Sequence, residues 1–62
     1  MCLAMVYRGE QTPENLILSN VQKIECFPGE VVLTDLMERQ ITVKGELVSV
    51  DLVGNSALIR PL

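Results

Sequence analysis

Residues 21–34 read Val-Gln-Lys-Ile-Glu-Cys-Phe-Pro-Gly-Glu-Val-Val-Leu-Thr, and this stretch decides the fold class. Over 21–26, Ile24 and Cys26 share one side of an extended chain and Lys23 and Glu25 share the other, the period of two that a strand requires. Phe27-Pro28-Gly29-Glu30 reads as a turn: proline presets the first corner position and glycine supplies the second. Residues 31–34 are apolar or β-branched and read as the returning strand.

The same alternation extends in both directions. Asp35-Leu36-Met37-Glu38-Arg39 is too short for a stable helix and reads as a loop or single turn, with Asp35 and Glu38 as solvated carboxylates. Residues 40–43 continue as strand, with Ile41 and Val43 on one side. Lys44-Gly45-Glu46 reads as a tight connection. Residues 47–53 (LVSVDLV) place Val48, Val50 and Leu52 on one face and Ser49 and Asp51 on the other. Gly54-Asn55 is a hairpin turn, and 56–60 form the last strand, with Pro61 suited to an edge or an end. Toward the N-terminus, 16–18 are a short apolar run, Ser19-Asn20 a small turn or bulge, and 9–15 (GEQTPEN) a polar turn. Residues 2–8 (CLAMVYR) read as the first strand, which puts Cys2 at a sheet edge or a barrel rim. The pattern predicts an all-β domain over 1–62: a small barrel of about five or six short antiparallel strands.

A chain of 62 residues buries only about 60% of the surface its unfolded form exposes. Hydrophobic residues make up 48% of it, yet there is no Trp and only one Phe and one Tyr, so the core must be aliphatic, and a homodimer is a natural way to cover what one copy cannot. Eight acidic and five basic residues give a net charge of -3. That balance argues against nucleic acid, whose affinity comes largely from neutralised phosphates. Arg8, Lys23, Arg39, Lys44 and Arg60 are scattered and form no tract. No apolar run approaches the roughly 18 residues of a membrane span, and the opening residues do not read as a secretory signal. The expectation is a cytoplasmic protein whose two cysteines stay reduced; a disulfide between them is the alternative.

Histidine is absent, which removes the Ser-His-Asp triad, the Cys-His pair and the Cys2His2 zinc site. The chain reads as a non-enzyme. Cys2 reads in two ways. It is either a small apolar strand residue or a metal ligand. As the N-terminal residue, after removal of Met1, it would offer a thiolate and a free amine in one chelate ring. With Met1 retained, the Met1 amine and the Cys2 thiolate still lie one amide apart. Two such N/S sets meeting across a dimer would supply a planar four-coordinate site, the geometry diagnostic of Ni(II) or Cu(II). Cys26 reads as a buried, inert thiol, with a second metal ligand as the alternative. Met1, Met5 and Met37 are soft thioethers, and only Met1 is near Cys2 in sequence.

The opening Met1-Cys2-Leu3-Ala4 resembles that of the small nickel-binding CooT proteins and, more distantly, that of the HypC hydrogenase-maturation chaperones. The stretch from Val31 to Leu62 resembles the second half of the CooT proteins: an apolar strand, a short acidic loop, a glycine before a strand ending in Val50-Asp51-Leu52, and a final strand Ala57-Leu58-Ile59. The resemblance implies a homodimer of SH3-like barrels that binds Ni(II) through Cys2 of both subunits. It implies supply of nickel to carbon monoxide dehydrogenase or a related client enzyme. A HypC-like docking role for Cys2 and an RNA-binding module are the alternatives. The HypC proline soon after Met-Cys is absent here, where Met5-Val6-Tyr7 stands, and the histidine of the carbon monoxide-linked relative is also missing.

Overall fold

The computed structural model describes residues 2–62. Five strands follow one another along the chain: β1 (Ala4–Arg8), β2 (Leu16–Phe27), β3 (Glu30–Asp35), β4 (Gln40–Asp51) and β5 (Ser56–Pro61). A single 3-10 turn, Pro13–Asn15, sits between β1 and β2. Neighbouring strands pair in chain order and the ring closes into a barrel. Four seams are antiparallel and the closing β1–β5 seam is parallel. Parity requires this: successive strands of a meander alternate in direction, so the first and fifth point the same way.

Two long strands do the work of four shorter ones. The sequence suggests separate pieces at 16–18 and 21–26, and again at 40–43 and 47–53. In the structure each pair is one strand of 12 residues that bends and changes partner. β2 pairs with β1 through Leu16–Val21 and with β3 through Val21–Phe27. The change comes just after Asn20, whose φ of 56° marks the bulge expected at Ser19-Asn20. β4 pairs with β3 through Gln40–Lys44 and with β5 through Gly45–Asp51. The expected connection at Lys44-Gly45-Glu46 is therefore a bend inside a strand. Only glycine fits there: a Cβ on Gly45 would overlap the Arg60 carbonyl and lie 3.0 Å from Ile59 Cγ2.

The interior is aliphatic. Val6, Val21, Val31, Leu33, Val43, Ala57 and Ile59 are buried, with Ala4, Ile17, Leu18, Ile24 and Leu47 packed against them. Directly opposed residues share a face, and the register explains the list: Val6 faces Ala57, Val31 faces Val43, Leu47 faces Ile59. A register shift between Leu47 and Ser49 makes Val48 the extra residue. Val48, Val50 and Leu52 consequently do not form one core-facing row; all three are exposed.

Asp35 departs from its reading as a solvated carboxylate. It is 1% exposed. Its Oδ1 accepts the N–H groups of Met37 and Arg39, and its Oδ2 accepts Arg39 Nε at 2.8 Å. Burial pushes the carboxyl up. The Arg39 backbone N–H, the Arg39 guanidinium hydrogen bond, the Met37 N–H and the Arg39 charge outweigh it, so the pKa lies below the ordinary aspartate value. The loop between β3 and β4 is thus wrapped around a buried anion. Glu14, on the surface, is also held below the usual range, first by its hydrogen bond with Thr12.

Candidate metal centre

Cys2 lies upstream of β1, outside any strand, and its residue is exposed. The strand expected from residue 2 begins at Ala4. What holds the chain there is specific. Ala4 pairs with Val21 of β2, and the Met5 N–H donates to the Asn55 carbonyl at 2.9 Å. The arm carrying Cys2 leaves the barrel between β2 and the β4–β5 turn. Cys2, Leu3 and Ala4 line a cavity of about 230 Å³ together with Val21, Ile24, Val50, Asp51, Leu52 and Asn55 among others. Val50 opposes the buried Ala57, so the pleat turns it inward at the rim, where the cavity leaves it 47% exposed. Beyond it, Leu52 and Val53 at the turn are 82% and 96% exposed.

The second cysteine is elsewhere. Cys26 opposes Val31, so it has the inward orientation that its alternation with Ile24 implies. It is nevertheless exposed, which corrects the expectation of a buried thiol. The reason is its place at the end of β2, where the barrel mouth opens into a cavity of about 300 Å³ lined by Cys26, Phe27, Pro28, Gly29, Val31, Glu46 and Leu47. Cys2 and Cys26 line different cavities and both thiols are free; no disulfide links them.

Met1 lies outside the described residues, so its reading as a neighbouring donor finds no geometry here. Met5 is on β1, with its sulfur accepting the Tyr7 hydroxyl at 3.7 Å. Met37 is in the β3–β4 loop, outside the Cys2 cavity. Among the described residues, no three His, Cys, Asp or Glu side chains converge as metal ligands. The cavity's carboxylate, Asp51, is engaged locally: its Oδ1 accepts the N–H groups of Val53 and Gly54. The turn at Gly54-Asn55 is the one expected from the sequence, but the closing role of Asp51, read there as a strand residue, is not. Its signal is the aspartate three residues before Gly54-Asn55, the spacing of a side chain that closes a turn on its own backbone.

The cations are spread and largely neutralised. Lys23 pairs with Glu25, Arg39 with Asp35, Lys44 with Glu30 and Arg60 with Glu46. Among the described residues Arg8 alone has no ion pair. The pairs of Lys23, Lys44 and Arg60 are exposed and contribute little stability, while all four remove the concentrated positive charge that phosphate binding needs. Among the same residues no helix is long and apolar enough to cross a membrane.

Comparison with solved structures finds the barrel again in the crystal structure of a protein assigned as CooT from Carboxydothermus hydrogenoformans. The TM-score is 0.83 at 20% identity, over 98% of each chain. At that identity the likeness establishes the fold. No curated protein matches the sequence. The family described as "CO dehydrogenase accessory protein CooT" matches residues 1–60. That span contains Cys2, every bend and turn described above and nearly all of the last strand, and the chain belongs to the CooT family.

Proposed function

We propose that this chain carries nickel for a carbon monoxide dehydrogenase or a related nickel enzyme. The ion is cargo, and Cys2 is its anchor. The observation that carries the reading is the placement of Cys2 within a chain matched to that family over residues 1–60: an exposed thiol outside the barrel's hydrogen-bonded strands, at the rim of a cavity. A thiolate there can reach a metal without unfolding any strand. A soft sulfur donor combined with nitrogen suits nickel in a planar site.

One chain offers little else at that rim, since among the described residues no cluster of three ligating side chains exists. The donor set fits a site completed by a second copy, each contributing a Cys2 thiolate and a nitrogen from its own N-terminal arm. The homodimer and the nickel site are then one proposal. Residues of the barrel perform no bond-making step; they present the thiolate. Two exposed free thiols suit a reducing cytoplasm.

The test is a Ni(II) titration of tag-free protein, followed by absorption spectroscopy and native mass spectrometry, with Cys2→Ser in parallel. The expected result is one nickel per dimer and thiolate-to-nickel bands that vanish in the variant. Binding should strengthen with pH, because the thiol must lose its proton. No saturable binding by the wild type, or bands that survive Cys2→Ser, would sink the reading.

A further inference from the structure

We propose that the Asp51–Asn55 turn is the positioning element of the Cys2 site. It fixes the N-terminal arm so that thiolate and backbone nitrogen are held ready for a metal. The inference rests on the nickel reading above and adds the residues that set the geometry.

The turn is built to be rigid. Asp51 Oδ1 accepts the Val53 N–H at 3.1 Å and the Gly54 N–H at 2.9 Å, so one carboxylate oxygen closes the turn on itself. Gly54 packs against that carboxylate: a Cβ there would stand 2.7 Å from Asp51 Oδ2. Asn55 follows with a φ of 54°, in the left-handed region that asparagine tolerates better than most residues. In this conformation its carbonyl accepts the Met5 N–H at 2.9 Å. On the other side Ala4 is paired to Val21. The start of β1 is therefore pinned from two directions at Ala4 and Met5, and Cys2, two residues upstream of Ala4, lines the cavity that Asp51, Leu52 and Asn55 help to wall.

A metal binding to a loose arm must order it; an arm already held costs less to capture. Partners that orient a ligand typically change metal affinity by about 10–100-fold when lost. Asp51 is a positioning residue in this scheme. It acts through the turn and the Asn55 carbonyl, and it does not touch the ion.

The experiment uses two readouts on Asp51→Ala and Asp51→Asn. The first is the mobility of a nitroxide label on Cys2 in a Cys26→Ser background, read by electron paramagnetic resonance without metal. The second is Ni(II) affinity of the unlabelled proteins. Asparagine keeps one oxygen acceptor for both N–H groups, so Asp51→Asn should keep the wild-type label spectrum and affinity. Asp51→Ala should narrow the label spectrum and weaken nickel at least about tenfold, measured well below its melting temperature. Ile59→Val, a mild loss in the buried core, serves as the stability control and should keep wild-type affinity. An unchanged label in Asp51→Ala overturns the proposal, as does a loosened label with unchanged affinity. Equal nickel loss in Asp51→Asn and Asp51→Ala also overturns it, because it makes the carboxylate a ligand. A wild type that binds no nickel defeats the function reading instead, and the label, read without metal, tells the two failures apart.

Discussion

Replacing Gly45 with alanine tests the bend that lets β4 serve two neighbours. Gly→Ala at a compatible position stabilises a protein by about 0.4–1 kcal/mol, by restricting the unfolded chain. At Gly45 the sign should reverse. The added Cβ meets the Arg60 carbonyl and stands 3.0 Å from Ile59 Cγ2, and both atoms belong to the strand to which β4 is hydrogen-bonded. Relief requires β4 and β5 to separate locally, and overpacking of this kind costs about 1–3 kcal/mol. A domain of 62 residues has a total stability of only about 3–9 kcal/mol, and each kcal/mol moves its melting temperature by about 4–8 °C. Thermal denaturation followed by circular dichroism should therefore show a melt lowered by roughly 5–20 °C. Adding Ile59→Ala should not rescue it, because the nearest obstacle is backbone. A Gly45→Ala protein that melts at or above the wild-type temperature, or one restored by Ile59→Ala, would refute the close-approach argument.

Leu33 is fully buried, and Leu33→Ala should cost about 2–5 kcal/mol, read as a lower urea midpoint with little change in m-value; a shift under about 1 kcal/mol would contradict its place in the core. Asp35 has a depressed pKa in the folded chain, so its stabilising contribution is fully present above the unfolded value of about 3.9 and is lost as pH falls through the lower folded value. Urea midpoints taken from pH 5 down to 2 should fall in the wild type, and Asp35→Asn should flatten that slope; parallel slopes would refute the assignment. Native protein should titrate two thiols with Ellman's reagent, and Cys26→Ser one, since both cysteines are exposed; a single reactive thiol in the wild type would restore the buried reading of Cys26.

The hairpin at 21–34 was legible because strand alternation and a Pro-Gly corner fall in one short window. The strand count was less so. Residues such as Asn20 and Lys44-Gly45-Glu46 look like turns locally, and nothing in a linear pattern distinguishes a turn from a strand that bends and changes partner. The outward position of Val48 depends on a bulge set by its pairing with β5, which is tertiary information. Asp35 was misread for a related reason: its partners Met37 and Arg39 were visible in sequence, but the loop that closes on it is held by the Leu36 N–H donating to the Asn20 carbonyl of a distant strand. At the site, Cys2 stood out by position and by family resemblance. The hold on its arm did not, because Met5 and Asn55 lie at opposite ends of the chain and meet only when the barrel closes.

That closure has a further consequence. The ring joins every strand to two neighbours, so one-sided pairing is left only in the halves of β2 and β4 on either side of their changes of partner. Strand addition, the common route by which sheets recruit extended peptides or aggregate with their own copies, is therefore confined to those short half-strands while the protein stays folded. With so many aliphatic side chains on its surface, from Met37 to Val53, an open sheet of this composition would be an aggregation hazard. Elsewhere an encounter must be made through side chains and loop tips. The tip beside Cys2 carries Leu52 and Val53, both almost fully exposed, so a contact made there would be sorted by side-chain shape and polarity, residue by residue.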